Sequence, residues 1–306
     1  MFLAVPLGLA AALNTSVAGQ PPEPTTTDGK VVAIVEDFEW NEPDEPCLGW
    51  SMMAPEEAQP EQLGLTAHQE VEPAGEGVAE PRKWMFGQFD YDTGLEDARH
   101  WVGARLGMPV PGKVTAVQLL VCGDGLGNRL AVSIGDSTGE WLNYQGKPIT
   151  WKGWQPVTIL LNTPSAHGGG NADGVPDPPL AFNSVNIEPA GEPGPSTVFL
   201  DDIAVVTKIG PGEALYFRPV LRIEGARVLV QLSGTNLAAT AQKADLVCQV
   251  LGADGQLILE ELLPVSLEPG AQETFKVGVP AGQDARRVVL TVTYADGAAS
   301  TLERAL

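Results

Sequence analysis

The sequence predicts an all-β protein of two domains, and three observations lead to that prediction. The 306 residues include 35 Gly and 26 Pro but only 6% aromatic residues, a composition typical of chains rich in strands and turns. No helical periodicity of useful length follows the first 20 positions. All seven Trp lie between Trp40 and Trp154, so the two parts of the chain differ in composition. A domain averages about 100–200 residues, and the chain is therefore long enough for two.

The N-terminus is typical of an exported protein. An apolar run opens MFLAVPLGLAAALNTSVAGQ, and the small residues Ser16 and Ala18 have the spacing of a signal-peptide cleavage site. A basic segment ahead of the run is missing, and the run is shorter than the roughly 20 residues that span a membrane. We expect a signal peptide over residues 1–18, a linker over 19–30, no membrane span, and a secreted, periplasmic or cell-surface location.

Residues 31–207 are predicted to form the first domain. Eight apolar segments have a spacing that suits a two-sheet sandwich or jelly roll. The stretch TKIGPGEA at 207–214 interrupts the strand pattern with Gly and Pro and marks the boundary. The predicted strands are 31–39, 83–91, 99–106, 114–122, 129–136, 155–161, 180–188 and 197–206.

The glycine-rich segment GDGLGN, residues 123–128, has the spacing of a phosphate-binding loop. Such a loop needs a helix that begins directly after the glycines, because the free N–H groups of the helix bind the phosphate. Here an alternating, strand-like run follows at Arg129. We therefore interpret the segment as a hairpin loop between two strands rather than a nucleotide site.

Residues 208–306 are predicted to form a second, smaller sandwich. Alternating apolar runs are separated by two Ala-Asp-Gly turns, at Asp254-Gly255 and Asp296-Gly297, which favour hairpins. The size and the short strands fit an immunoglobulin- or fibronectin-like fold. This part has no Trp, no His and no Cys pair, so a spacer or docking role is favoured over an activity of its own.

The charge of the chain excludes one class of partner. The net charge is −21, with 39 acidic and 18 basic residues, so we expect no nucleic-acid partner. No Lys or Arg occurs from Val31 to Pro81, although Asp and Glu are frequent there. A solvated acidic surface is favoured over cation binding in this stretch.

The cysteines and histidines show no recognised site pattern. The three cysteines form neither a disulfide framework nor a zinc-binding spacing; Cys122 and Cys248 lie in apolar strand patterns and are predicted to be small buried hydrophobes. The histidines are isolated, and no G-x-S-x-G segment occurs. A pair of catalytic carboxylates leaves no sequence trace, so a glycan-active hydrolase stays an alternative.

Two predicted strands carry the best candidate for a binding face. In ARHWVGARL, period-two alternation places Arg99, Trp101 and Arg105 on one face, which is not a normal core face. An indole can stack on a sugar ring while guanidinium groups bind hydroxyl or carboxylate groups. The alternative is that Trp101 covers a core edge while the arginines pair with surrounding acids. The candidates on the two strands are Trp84, Tyr91, Arg99, Trp101 and Arg105.

Further aromatic residues lie near the middle of the first domain. Trp141 and Tyr144 follow the turn DSTGE and are predicted to be exposed rim residues of the binding site. Trp151 and Trp154, in TWKGW, are predicted to be structural and are left out of the site.

Residues 31–207 resemble the galactose-binding-like β-sandwich of carbohydrate-binding modules and of complex-I-assembly factors. The segments that carry the resemblance include VEDFE at 35–39, HGGGNADGVPDPPL at 167–180 and VFLDDIAVV at 198–206. The resemblance implies a structural calcium between the first and last strands, held by Glu39 and Asp201, with Asp37 and Asp202 as neighbours. Such sites need six to eight oxygen ligands. The alternative is that these acids cap strand ends in water.

The loop NADGVPD places Asn171, Asp173 and Asp177 around Gly174. It lacks the full ligand set of a calcium loop, so a turn is favoured over a second cation site.

We expect an exported, non-catalytic protein, or accessory modules of a polysaccharide-acting enzyme, whose partner is a polysaccharide or oligosaccharide. A neutral β-glucan or mannan is favoured over an acidic glycan, because the net charge of −21 opposes acidic chains at long range. A catalytic domain or an envelope protein is a further possible partner. The alternative from another class is a structural or adhesion module of a cell-surface assembly that binds no sugar.

Overall fold

The computed structural model describes residues 29–53, 64–72, 82–94, 102–224, 227–280 and 283–305. In these residues the protein is all-β, as the composition predicts, and every strand pairing is antiparallel. The described residues contain no helix long and apolar enough to span a membrane.

In the described ranges before residue 209, twelve strands form two six-stranded sheets. The strands are β1 (Val31–Glu36), β2 (Ser51–Met53), β3 (Gly64–Glu72), β4 (Arg82–Asp92), β5 (Val102–Val110), β6 (Lys113–Asp124), β7 (Arg129–Gly135), β8 (Glu140–Pro148), β9 (Lys152–Leu160), β10 (Ala166–Gly169), β11 (Leu180–Glu188) and β12 (Pro195–Lys208). The first sheet has the order β3-β4-β12-β6-β9, with β1 also paired to β12. The second sheet has the order β10-β8-β7-β11-β5-β2.

The core of this first sandwich lies between the two sheets. Period-two alternation along β7 and β8 directs Val132, Ile134, Leu142 and Tyr144 inward, where each is at most 2% exposed. The residues between them point away from the core. The apolar positions of these strands therefore determine which polar side chains lie on the outer face.

The GDGLGN segment does not close a hairpin. Strand β6, which precedes it, pairs with β12 and β9 in the first sheet, whereas β7, which follows it, pairs with β11 and β8 in the second. The segment therefore crosses from one sheet to the other. Its glycines still make the turn, because Gly125 and Gly127 have φ values of 81° and 83°.

The first predicted strand is also shorter than expected. It ends at Glu36, because Phe38 has a φ of 55° and its backbone N–H donates to the Glu36 carboxylate at 2.7 Å. The segment Asp37-Phe38-Glu39 is thus a turn that inserts the fully buried Phe38 ring into the core. The predicted strands did not include β2, β3, β8 and β10.

Among the residues described after 214, seven strands form a second pair of sheets. They are β13 (Leu215–Glu224), β14 (Arg227–Asn236), β15 (Gln242–Gly252), β16 (Leu257–Leu267), β17 (Gln272–Val279), β18 (Ala285–Tyr294) and β19 (Ala299–Ala305). The sheets have the orders β13-β14-β17 and β16-β15-β18-β19. Both predicted hairpins are confirmed, since Gly255 and Gly297 have positive φ and lie between strands that pair, β15 with β16 and β18 with β19. Cys248 is buried in this second core as predicted, whereas Cys122 is only partly buried on the outer face of the first sheet.

The two sandwiches contact each other through buried polar groups. Arg304 of β19 is 5% exposed and donates to the carbonyl oxygen of Leu106 in β5 at 3.2 Å and to that of Pro219. Tyr216 donates from its hydroxyl to the carbonyl oxygen of Pro109 at 3.0 Å. These bonds satisfy backbone carbonyls along β5 and fix the second sandwich beside that strand.

Candidate ligand-binding cleft

A row of polar side chains crosses the outer face of the second sheet. Asn143 pairs with Ser133, Ser133 pairs with Ser184, and Ser184 pairs with Arg105 in neighbouring strands. All four residues alternate with core residues and therefore point away from the core. The row combines an amide, two hydroxyls and a guanidinium on four adjacent strands.

A β-bulge keeps Ser184 in this row. The register of β11 shifts between Phe182 and Ser184 in its pairing with both β5 and β7. The extra residue, Asn183, allows Phe182 and Val185 to remain in the core while Ser184 points outward. Without the shift, Ser184 would face the apolar core.

A second row of small residues runs parallel to the first. Trp141 pairs with Gly135, Gly135 pairs with Ala181, and Ala181 pairs with Pro109. Trp141 is 44% exposed and stands at one end of this row. Its indole packs on the backbone of β10, because a Cβ at Gly168 would lie only 3.0 Å from the ring. The glycine thus allows one ring face to rest on the sheet.

Hydrogen bonds orient the amide of Asn143 in the polar row and the amide of the neighbouring Asn186. Asn186 donates from Nδ2 to Oδ1 of Asn143 at 3.1 Å, and Asn143 donates from Nδ2 to Oε1 of Glu188 at 2.7 Å. Asn186 is only 6% exposed, and its Oδ1 is buried without a hydrogen-bond partner in the described part of the chain. A buried acceptor without a partner is costly unless water or a ligand satisfies it.

Arg105 is the basic side chain of this cleft. It is exposed, and within the described ranges no hydrogen bond or ion pair engages it. Its five N–H donors remain available for a ligand.

A buried carboxylate lies beside Trp141. Glu140 is 1% exposed, and its Oε1 lies 2.7 Å from Nδ1 of His167 and accepts from the Gly174 N–H at 3.0 Å. Its Oε2 is buried and has no partner among the described residues. The carboxylate connects β8, β10 and the 171–177 loop at the end of the cleft.

Both rows lie in one cavity of about 1040 Å³. One wall is the outer face of the second sheet. The other wall belongs to the second sandwich, through Tyr216 of β13 and Thr301 of β19. The volume and the mixed polar and apolar lining suit a small organic ligand.

Two of the predicted site residues, Arg105 and Trp141, line this cavity, whereas the two predicted tyrosines, Tyr91 and Tyr144, do not. Tyr144 is 2% exposed in the first core, which corrects the expectation of an exposed rim residue. Alternation explains the difference, since Tyr144 is an odd number of residues from Trp141 along β8 and faces the opposite side. Tyr91 is 1% exposed, and burial, with the hydrogen-bonded Asp124 carboxylate, raises the pKa of its hydroxyl. Neither ring offers a face to a surface ligand.

Three predicted ligand-binding residues lie outside the described part. Residues 95–101, which include Arg99 and Trp101, are not described, and neither is the side chain of Trp84 in β4. The predicted structural role of the tryptophans in TWKGW fits their placement. Trp151 donates to the carbonyl oxygen of Val121 at 3.2 Å, and Trp154 packs at 5.4 Å from the Phe86 ring.

The acids predicted to hold calcium flank adjacent strands, because β1 pairs with β12. Asp37, however, is bound to Arg218 at 2.8 Å, and Asp201 is 3% exposed with its Oδ1 accepting from the Asp202 N–H. Glu39 accepts from the Met85 N–H at 3.4 Å. The described residues contain no group of three or more His, Cys, Asp or Glu that could hold a metal ion. These contacts do not test whether calcium binds, and the calcium stays a prediction.

The 171–177 loop is ordered by its own hydrogen bonds. Asn171 donates from Nδ2 to Asp173 and to Asp177, and Asp173 accepts from the Val175 N–H. Asp136 accepts from three donors in the neighbouring turn, and these bonds lower the pKa of its carboxyl despite the opposing effect of burial. The contacts are those of interlocking turns, as favoured from the sequence.

Three residues of the polar row, all but Arg105, were not predicted, and neither was Asn186, which bonds to Asn143. Asn143, Ser133, Ser184 and Asn186 lie on strands β7, β8 and β11, and only the alternation of polar with large apolar residues along each strand marks them. That signal shows which face a residue occupies, but not which strands are neighbours. The pairing of distant strands brings the four residues together.

No family model matches the chain, and no curated protein matches it. Among the solved structures that are similar to this chain is the family 11 carbohydrate-binding module of a cellulosomal cellulase of Clostridium thermocellum. The match covers 58% of this chain and 96% of the module, with 14% sequence identity and a TM-score of 0.35. A glycosyl hydrolase family 2 member from Bacteroides cellulosilyticus has 12% identity over 86% of this chain and 35% of the hydrolase, at a TM-score of 0.30. The chain thus spans about a third of that hydrolase. At such identities and TM-scores, these likenesses assign neither a family nor a function.

Proposed function

We propose that this protein binds an oligosaccharide, without cleaving it, in the cleft on the outer face of the second sheet. The observation that carries the proposal is the row of Asn143, Ser133, Ser184 and Arg105 beside the half-exposed indole of Trp141. A sugar presents hydroxyl groups at its rim and C–H groups on its ring faces. Amides, hydroxyls and guanidinium groups bind the former, and an aromatic face packs on the latter.

The charge of the cleft favours a neutral ligand. Five carboxylates line the cavity together with Arg105, namely those of Asp136, Glu140, Glu188, Glu213 and Glu303. A uronate would be repelled by this excess of negative charge as well as by the net charge of −21. Arg105 would therefore act as a hydrogen-bond donor to hydroxyl groups of a β-glucan or mannan.

Export and the absence of catalysis are part of the proposal. Residues 1–18 have the pattern of a signal peptide, which would place the protein among extracellular polysaccharides. The sequence has no G-x-S-x-G segment of the kind that carries the nucleophile of serine hydrolases. The protein would then hold a polysaccharide-acting enzyme near its substrate, or hold a cell near a glycan.

A glycan array probed with the full chain tests the function. We expect retention on neutral glucan or mannan oligosaccharides, and loss of retention for the double variant Trp141→Ala, Arg105→Gln with an unchanged melting temperature. Leu160→Ala is the matched control, because Leu160 is 61% exposed on β9 of the opposite sheet. Release of reducing sugar by the purified chain would contradict the non-catalytic role, and binding to no glycan would contradict the function itself.

A further inference from the structure

The row of small residues forms the floor of a short trough. Gly135, Ala181 and Pro109 carry no large side chain, and all three line the cavity together with Trp141. The row crosses four adjacent strands, so three spacings of about 4.8 Å give a floor of about 14 Å. The polar row lies two residues away along β7 and β8, three along β11 and four along β5, and it forms one side of the trough.

The trough is closed at its β5 end by the second sandwich. The Tyr216 hydroxyl donates to the carbonyl oxygen of Pro109, the last residue of the floor, at 3.0 Å. Thr301 and Leu302 of the edge strand β19 line the same cavity. A ligand that lies along the floor from Trp141 therefore meets protein where it reaches β5.

The closing wall is held firmly against the first sandwich. Arg304, next to the wall residues in β19, is 5% exposed and bonds the carbonyl oxygens of Leu106 and Pro219. Glu213 accepts from the Gly112 N–H at 3.0 Å, directly after β5. Displacing the wall would leave several buried polar groups without partners, which is unfavourable.

From this geometry we infer that the cleft recognises the end of a glycan chain rather than an internal segment. The inference rests on the proposed function and specifies its ligand. A polymer cannot continue past Pro109 in the direction of the trough, so one terminal sugar would lie against Tyr216 and Thr301. The remaining chain leaves over the indole of Trp141, which is 44% exposed.

Measuring how many protein molecules bind to each polysaccharide molecule tests this inference. We would titrate the full chain into a linear β-glucan and into a linear mannan, each intact and after partial acid depolymerisation at constant mass. Recognition of ends predicts that bound protein per gram rises in proportion to the number of chain ends. If the amount of protein bound per gram of polymer is the same before and after depolymerisation, the inference is wrong and the proposed function still stands. No binding to either polymer in either state would overturn the proposed function and this inference with it.

A wall variant provides an independent test on the short ligand. Thr301→Tyr places a ring at the closed end of the trough, and we expect at least a tenfold loss of affinity for the tetrasaccharide of the polymer that binds. Thr293→Tyr is the matched control, since Thr293 is exposed on the neighbouring strand β18 and does not line the cavity. Equal affinity of both variants, with unchanged melting temperatures, would show that the wall does not contact the ligand and would contradict the inference.

Discussion

Arg218 of the second sandwich lies 2.8 Å from Asp37 of the first, and the arginine is only 3% exposed. Its guanidinium also lies 5.0 Å from the centre of the Trp40 ring. Burial lowers the pKa of Arg218, but the Asp37 carboxylate raises it, and the net shift is upward. The pair attaches the turn after β1 to β13 through Oδ2 of Asp37.

Removing the carboxylate of this pair should destabilise the protein. Asp37→Ala leaves the buried Arg218 charge without its partner, and we expect the free energy of unfolding to fall by about 3 kcal/mol. Urea unfolding of the variant measures the change. Asp284→Ala is the control, because its ion pair with Arg286 is exposed, and its loss should cost less than about 1 kcal/mol. Equal effects of the two variants would contradict the structural role of Asp37.

Removing the exposed indole should weaken ligand binding without affecting the fold. Trp141→Ala removes the ring that stands at the open end of the trough, and loss of such an anchor costs about 1–3 kcal/mol, or about five- to a hundredfold in affinity. Isothermal titration with the bound oligosaccharide measures the loss. An unchanged affinity would exclude Trp141 from the site.

Arg105 should contribute by its hydrogen bonds rather than by its charge. Arg105→Lys keeps the charge but loses the planar arrangement of donors, so we expect a loss of affinity about as large as for Arg105→Gln, about tenfold. Arg286→Gln, on the exposed surface of β18, should leave affinity unchanged. Full affinity of the lysine variant would instead indicate an interaction governed by charge.

The buried Glu36 should make stability depend on pH. Burial, followed by repulsion from Asp37, raises the pKa of its carboxyl above the ordinary value of 4.5. The folded state therefore binds a proton more tightly than the unfolded state. The stabilising contribution is fully present below pH 4.5 and is lost as the pH rises through the folded-state pKa. Urea midpoints measured from pH 4 upward should fall more steeply for the natural protein than for Glu36→Gln. If the urea midpoints of the two proteins change with pH in the same way, the raised pKa of Glu36 is wrong.

The calcium predicted at Glu39 and Asp201 can be tested by removing metal. A bound ion at a hundredfold excess over its Kd would stabilise the folded state by about 2.7 kcal/mol. Excess chelator should then lower the melting temperature, and added calcium should restore it, whereas Glu39→Gln should melt at the same temperature with and without chelator. A melt of the natural protein that does not respond to chelator, with no metal found by elemental analysis, would remove this site.

Local patterns were sufficient to predict the class of the fold. The strand-like alternation and the Gly and Pro content predicted an all-β chain, and the Asp-Gly pairs at 254–255 and 296–297 predicted two hairpins that the structure contains. These features depend on neighbouring residues alone, because side-chain alternation and positive φ are local properties of the backbone. The same local reasoning failed for GDGLGN, where the flanking strands belong to different sheets.

The sequence by itself determined which residues lie on each face of a strand, and Arg105 was a candidate for that reason, whereas Trp141 was a candidate because it follows the turn DSTGE. Only the tertiary structure decided that Trp141 joins Asn143, Ser133, Ser184 and Arg105 in one cleft, since strands distant in sequence pair in the second sheet. It also decided that Tyr144 is core and that the second sandwich supplies a wall. The physical reason is that strand pairing and domain contact depend on long-range packing and on the satisfaction of buried polar groups, which no local pattern specifies.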